Sequence, residues 1–396
     1  MDLVRDFLRP FAWYAKILKQ SVDVRIRNFL GIVNKPRWII FQSTSRCNLL
    51  CSMCNIGREY LRNPRVASRD LTSEEMKTIL ERDYDMLRKV DFFEFTGGEP
   101  FMRDDLVEMV KTVHTFLPKC GFWFPTNGTL PFKIEKDILK IIKIHGNVGA
   151  SVSIDGNEKI HDKIRGVKGS FRKSVLTLKK LIKIREKYPW FNVMVSFTLL
   201  PSNIEELPFI YKLSRHFNVK ATLRPLQFSP IYYKNVDNED AEILGKYHFN
   251  KERLKKLVHF FDLLIQETFT SYKLAAFPHL YYFCNVLKYT LGDNQRRWSC
   301  FAGTSAFYLK PNGDVYACTL LDKRMGNLKE KSLREIWSSK KAWRIRDEIA
   351  KLRCRCWNEH DAYRIIEEDF IRLLLFSLKF SIKKMTHKLM RYSLNC

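Results

Sequence analysis

Cys47, Cys51 and Cys54 stand in the spacing Cys-x3-Cys-x2-Cys, within eight residues of one another. A tight loop with this spacing can turn three thiolates onto one small cluster, and thiolate is the ligand that iron–sulfur chemistry selects. Three cysteines leave one iron of a 4Fe–4S cube without a protein ligand, open to a cofactor or substrate. Zinc is the competing ion, but structural zinc sites close with four ligands and no fourth stands adjacent. Nothing at the N-terminus reads as a secretory signal, because Asp2, Arg5, Asp6 and Arg9 interrupt any apolar run. Without export, disulfides are disfavoured and clustered cysteines read as metal ligands.

The elements that must position these thiols alternate along the chain. Strand-like runs fall at Arg37–Thr44, Asp91–Thr96, Gly121–Thr126, Gly149–Asp155, Asn192–Leu199 and Val219–Leu226. Helix-like runs lie between them, at Ser73–Lys89, Asp104–Phe116, Ile134–Ile144, Phe171–Tyr188 and Ile204–Phe217. The first of these opens on a capping box, Thr72 with Glu75. Strands alternating with helices predict a parallel sheet with right-handed crossovers. Six units are too few for a closed eight-stranded barrel and fit a partial (β/α)6 one. The cysteine loop directly follows the first strand.

The ordered set of motifs resembles the radical S-adenosylmethionine (SAM) superfamily. Beyond the cysteine triplet, Met53 fills the apolar position before the third cysteine, where the family packs the adenine. Gly97-Gly98-Glu99-Pro100 ends the second strand, where the family meets the amino group of SAM. Glycines allow close backbone approach and a carboxylate suits an ammonium group. Ser153 and Asp155, in Ser-Ile-Asp-Gly, end the fourth strand, where the family binds the ribose and carboxylate of SAM. The resemblance further points to Arg165, in the His161–Phe171 loop, for the SAM carboxylate; Arg165, Thr126-Asn127-Gly128, Thr198, Asn203 and Arg224 read equally as pocket or substrate contacts or as ordinary loop residues, positions the family does not fix. It implies reductive cleavage of SAM by a 4Fe–4S cluster. The resulting 5′-deoxyadenosyl radical abstracts hydrogen from a peptide, sugar or lipid-linked substrate. Flavodoxin or ferredoxin is the implied reductant.

Four more cysteines, Cys300, Cys318, Cys354 and Cys356, follow. Gly313-x4-Cys318 comes after the turn signal Lys310-Pro-Asn-Gly-Asp314, hence a hairpin. This resembles a SPASM region in its shortened, twitch form, which holds one auxiliary 4Fe–4S cluster. Cys354-Arg-Cys356 departs from the usual Cys-x2-Cys. In a strand those side chains point to opposite faces, so both can ligate one cluster only from a curved loop. His360, Asp361 or Cys284 are alternative ligands; inert buried thiols or a structural zinc are the competing readings.

The whole chain of 396 residues then divides into a basic amphipathic segment (1–35), a radical SAM core (36–232), a helical connector (233–299), the auxiliary-cluster region (300–360) and a basic amphipathic helix (361–396). In the last, Ile371, Leu374, Leu375, Leu378, Ile382, Met385 and Leu389 share one stripe, with no acidic residue after Asp369. The formal charge of +26 suits an anionic partner. The expectation is a cytoplasmic protein, peripheral at a membrane surface if the terminal helices dock there rather than on the barrel. Two other classes are weighed. An RNA-modifying radical SAM enzyme would use the charge, but no RNA-binding module is recognisable. A non-catalytic iron–sulfur carrier has no use for a SAM pocket.

Overall fold

The computed structural model describes residues 34–236, 251–272, 277–291, 300, 302–352 and 373–378, with scattered positions between 15 and 32; at 251, 265–272 and 277–279 it describes the backbone alone. Two compact units are present: Lys35–Lys246 with Ala302–Glu348, and Met1–Asn34, Tyr247–Phe301 and Ile349–Cys396.

The first unit is built on six parallel strands: β1 (Trp38–Gln42), β2 (Phe92–Thr96), β3 (Gly121–Thr126), β4 (Val148–Ser153), β5 (Asn192–Leu199) and β6 (Lys220–Pro225). Each lies within two residues of its sequence-based position. Side chains alternate across a strand. In β2, Phe93 and Phe95 therefore face one way and Glu94 and Thr96 the other. The first pair joins Phe41, Phe122 and Phe124 in the core; Phe95 and Phe124 stack at 5.3 Å between ring centroids. The opposite face forms the inner wall of an unclosed barrel.

The crossover helices are α1 (Ile56–Arg62), α2 (Ser73–Arg82), α3 (Tyr84–Leu87), α4 (Leu106–Phe116), α5 (Pro131–Ile144), α6 (Glu158–Arg165), α7 (Ser170–Lys187) and α8 (Leu207–His216). The Thr72–Glu75 capping box forms as the sequence predicts. The expected helix 73–89 instead breaks at Asp83, which caps neither half with its side chain but accepts the Leu333 amide at 2.8 Å. The span expected as a His161–Phe171 loop begins inside a helix. Asn157 caps the start of α6 through the Ile160 amide, and Gly166, at φ 71°, ends it just after Arg165. A side chain at 166 would meet the Leu50 carbonyl oxygen at 2.4 Å, so this end of α6 lies against the cysteine loop.

The hairpin expected around Lys310–Asp314 joins β7 (Ala306–Leu309) to β8 (Asp314–Tyr316), and β9 (Arg324–Asn327) follows. β7 pairs in parallel with β1, Trp38 opposite Ala306. One nine-stranded sheet results, in the order β6-β5-β4-β3-β2-β1-β7-β8-β9. The region expected to be turn-rich also carries two helices, α11 (Leu333–Trp337) and α12 (Lys340–Lys351), the first closed by a Ser332–Glu335 capping box. The second unit contains two further helices, α9 (Lys251–Tyr272) and α10 (Phe277–Thr290), where the sequence reads as helical.

Candidate active site

The cysteine loop leaves β1 at the C-terminal end of the sheet, and four sets of contacts hold it. The amides of Leu50 and Ser52 donate to the carbonyls of Arg165 and Ile164, at 3.0 and 2.8 Å. The Gly98 and Glu99 amides donate to the Thr44 and Arg46 carbonyls, at 3.0 and 2.8 Å. Gly98 is needed for that approach, since a Cβ there would meet the Arg46 carbonyl oxygen at 2.1 Å. The Arg58 guanidinium gathers the carbonyls of Leu50 (3.3 Å), Cys51 (3.0 Å) and Cys54 (3.4 Å).

The fourth set was not legible in the sequence. The segment 229–235 after β6 braces the loop from above. The Asn55 amide and side chain donate to the Tyr233 and Lys234 carbonyls, at 2.8 and 2.6 Å. The Asn235 side-chain amide donates to the Met53 carbonyl at 3.0 Å and accepts the Ser229 amide at 2.9 Å. The Ser229 hydroxyl donates to the Thr319 carbonyl at 2.6 Å, one residue beyond Cys318. This strap therefore joins the loop of the first three cysteines to the turn of a fourth.

The loop borders a cavity of about 900 Å³, including its open mouth. Cys47, Cys51, Cys54, Met53, Gly97, Gly98, Ser153 and Arg165 all line it, as do Thr126, Asn127, Thr198 and Arg224. Structure adds Ser196, Gln227, Tyr232 and Tyr233. The polar Ser196 and Thr198, alternating within an apolar strand, were the available signal.

Five sequence-assigned residues stand outside the lining: Glu99, Pro100, Gly128, Asp155 and Asn203. Pro100 is buried at the start of a single 3-10 turn. Glu99 is fully buried and accepts from the Thr126 hydroxyl (2.8 Å), the Asn127 amide (2.7 Å) and the Phe101 amide (3.2 Å). Burial pushes its carboxyl up to about 7 against the lowering effect of those donors. Asp155 is fully buried as well; it accepts the Arg165 guanidinium at 2.6 Å and the Thr198 amide at 2.8 Å. Its own amide donates to His161 Nδ1 at 3.1 Å. Arg165 in turn reaches to 3.9 Å from the Cys51 sulfur.

Burial raises the Cys47 and Cys51 thiols and pushes Cys54 up to about 12, with the neighbouring cysteines adding repulsion at Cys47 and Cys54. Bare thiolates are therefore disfavoured here, and a cationic cluster is the group that would relieve them. Among the described residues no three Cys, His, Asp or Glu stand close enough for one mononuclear ion. Cys47, Cys51 and Cys54 nevertheless line one cavity, and thiolates are the ligands of iron–sulfur clusters. Of the second cysteine set, Cys318 is buried and its sulfur accepts the Leu321 amide at 3.3 Å, while Cys300 is half-buried. Cys354 and Cys356 lie outside the described residues, as do His360 and Asp361.

An open parallel barrel with three thiols at its C-terminal mouth, those of Cys47 and Cys51 buried and that of Cys54 half-buried, defines the class: an iron–sulfur enzyme. Residues 41–213 match the radical SAM superfamily and residues 300–358 match the iron–sulfur cluster-binding SPASM domain. The chain belongs to the radical SAM superfamily, in its SPASM-bearing form, and is an enzyme whose cofactors are SAM, a SAM-binding 4Fe–4S cluster and auxiliary iron–sulfur. It is similar to an AdoMet-dependent heme synthase of Methanosarcina barkeri, 24% identical over 83% of this chain and 89% of that one. It is also similar to a cysteine-type anaerobic sulfatase-maturating enzyme of Clostridium novyi, 28% identical over 76% of this chain and 79% of the other. The fold is that of native anSMEcpe with bound AdoMet, with a TM-score of 0.56 at 19% identity, covering 87% of this chain and 99% of that one.

Proposed function

We propose that this chain modifies a peptide by SAM-dependent hydrogen abstraction, with Cys47, Cys51 and Cys54 as the ligands of the SAM-binding cluster. The cavity carries the reading: it has thiols at one end and polar side chains from β4, β5 and β6 at the other, so cofactor and substrate can share it. When bound, the cluster and SAM supply one-electron SAM cleavage and the hydrogen abstraction that follows. The protein's part is placement. Gly97 and Gly98 admit backbone approach beside the thiols, Arg165 offers a held cation for a carboxylate, and Asp155 and Glu99 fix the walls behind them. The resemblance to a sulfatase-maturating enzyme, whose substrate is a polypeptide, supports a peptide. The resemblance to a heme synthase supports a second reading, a tetrapyrrole.

Anaerobically reconstituted protein with dithionite, SAM and, in parallel, a library of cysteine- and serine-bearing peptides and an iron porphyrin is the test. The expected result is peptide-dependent 5′-deoxyadenosine and a changed peptide mass. SAM cleavage that leaves every peptide unchanged but converts an iron porphyrin overturns the peptide reading.

A low-potential flavodoxin or ferredoxin is the proposed electron donor. Peripheral docking on anionic lipid is proposed as well. Leu18, Val22, Ile26 and Leu30, spaced by four, are 43–59% exposed, and Leu374, Leu375 and Leu378 are 45–60% exposed. Ile371, Ile382, Met385 and Leu389 of the tail stripe lie outside the described residues. Among the described residues no helix is long and apolar enough to cross a membrane.

A further inference from the structure

The strap at 229–235 holds two places at once. At one end, the Ser229 hydroxyl donates to the Thr319 carbonyl at 2.6 Å, and Thr319 directly follows Cys318, which the sequence assigns to the auxiliary cluster. The same hydroxyl accepts the Tyr232 amide at 2.9 Å. At the other end, Asn235 donates to the Met53 carbonyl at 3.0 Å, inside the loop of Cys47, Cys51 and Cys54. The two ends form one unit. The Ser229 amide donates to the Asn235 side chain at 2.9 Å, and the Asn235 amide donates back to the Ser229 carbonyl at 3.2 Å. Ser229, Asn235 and Thr319 are all buried. Satisfied buried networks are rigid, because a group that loses its partner bears its full desolvation cost.

Backbone strain marks the same segment. Lys234 sits at φ 53°, in the left-handed region that a residue with a side chain seldom adopts. Such a conformation persists only where its surroundings impose it. Here the cysteine loop imposes it. Asn55, next to Cys54, donates its amide to the Tyr233 carbonyl at 2.8 Å and its side chain to the Lys234 carbonyl at 2.6 Å, and Glu59 accepts the Lys234 ammonium. Ile231 and Tyr232 are buried in one cluster with Tyr308 and Tyr316 of the β7–β8 hairpin, and the Tyr232 and Tyr308 rings stand 5.7 Å apart between centroids. This packing seats the strap on the sheet, and the Ser229 hydroxyl ties it to the turn that carries Cys318.

We propose that Ser229 is a positioning residue for SAM: through it, the turn of Cys318 sets the place of Met53 and so the cavity's affinity for the cofactor. Met53 lines the cavity, whereas neither Cys318 nor Thr319 is among the lining residues, so an effect of that turn on SAM must travel through an intermediate. The coupling holds for any substrate and goes beyond the peptide reading. It rests on the assignment of Cys47, Cys51 and Cys54 to the SAM-binding cluster. Coupling between two sites is reciprocal, so SAM steadies the Cys318 turn as much as the turn steadies SAM.

The test uses the full chain, reconstituted anaerobically with iron and sulfide, and reads SAM affinity by equilibrium dialysis. Ser229→Ala should weaken SAM binding about tenfold, and Ser229→Thr, which keeps the hydroxyl, should recover most of the loss. Cys318→Ala, outside the cavity, should also weaken SAM binding about tenfold. The double variant should be no more than about twofold worse than the poorer single one. Asn327→Ala is the control for general destabilisation. Asn327 donates to the Asn312 carbonyl at 3.1 Å and the Asp314 carboxylate at 2.9 Å, and neither acceptor is on the strap. That variant should melt earlier yet bind SAM within about twofold of wild type. In the reverse direction, SAM should slow hydrogen exchange of the Cys318–Leu321 amides at least about threefold in the wild type and leave it unchanged in Ser229→Ala. The wild-type exchange needs no variant, so it decides the matter even where Ser229→Ala does not fold. Multiplying losses in the double variant, an equal loss in Asn327→Ala, or turn exchange that ignores SAM in the wild type overturns the coupling and leaves the thiol assignment standing. A wild type that binds SAM no better than the Cys47/Cys51/Cys54 triple alanine protein overturns the thiol assignment, and the coupling with it.

Discussion

Replacing Asp155 with alanine discriminates between two roles for a residue that the family motif places at SAM and the structure places behind the cavity wall. Asp155 is fully buried, holds Arg165 at 2.6 Å and accepts the Thr198 amide at 2.8 Å. Removing one partner of a buried ion pair costs about 3–5 kcal/mol, because the other charge is left uncompensated. Leaving the Thr198 amide unsatisfied adds about 1–3 kcal/mol. With partial relaxation the sum is on the order of 4–6 kcal/mol, which for a domain of this size lowers the melting temperature by roughly 10–20 °C. Asp155→Asn keeps the shape and an acceptor for the Thr198 amide, so it should lose about half as much. SAM affinity should also fall, but through Arg165. Asp155→Ala and Arg165→Met should then each weaken SAM binding, and the double variant should be little worse than the poorer single one. Thermal unfolding and equilibrium dialysis with SAM measure both effects. An Asp155→Ala protein within about 1 kcal/mol of wild-type stability, yet with SAM affinity reduced beyond tenfold, would refute the brace and return Asp155 to direct cofactor contact.

Other variants address the remaining parts of the site. The Cys47/Cys51/Cys54 triple alanine protein should retain roughly half of the about eight irons expected for two 4Fe–4S clusters and lose all SAM cleavage; undiminished 5′-deoxyadenosine would sink the ligand assignment. His161 is held neutral by burial and by its neighbour Arg165, which brings its pKa from 6.5 to about 4. The native state therefore binds fewer protons than the unfolded one, and stability present above pH 6.5 is lost as pH falls toward 4, by about 3 kcal/mol. His161→Gln should flatten urea-unfolding stability across that interval, and an unchanged slope would show that another group is responsible. Asn235→Ala removes the donor to the Met53 carbonyl and the acceptor for the Ser229 amide, so SAM affinity should fall about tenfold with iron content retained. Wild-type SAM affinity in that variant would mean that the strap does not position Met53.

Much of this was legible in the sequence because it is local. The six core strands announce themselves as short β-branched and aromatic runs, and the cysteine spacing fixes a loop that follows the first of them. Helix α6 was missed because it is polar apart from Ile160, His161 and Ile164; its boundaries come from Asn157 and Gly166, which read equally well as turn residues. Glu99 and Asp155 follow β2 and β4, where the motifs end those strands, but a motif does not say which way a side chain turns. Both turn toward amides of the neighbouring strand ends, Asn127 and Thr198. The 229–235 strap rests on contacts between residues some 180 positions apart, such as Asn235 with Met53, and such contacts leave no periodic trace.

The pairing of β1 with β7 has a further consequence, for how the chain can be made. Trp38 lies opposite Ala306, so the first strand of the barrel acquires its second neighbour only after most of the polypeptide exists. Until then β1 is an edge strand, with Ile39, Ile40 and Phe41 in its row, all buried in the finished fold. Contacts this distant in sequence form slowly, and an unpaired apolar edge invites pairing with another chain in the meantime. The hairpin that resembles an appended cluster module is, for the barrel, its missing edge cover. A protein shortened before residue 306 is thus a barrel with an open side, and aggregation is the fate its geometry favours.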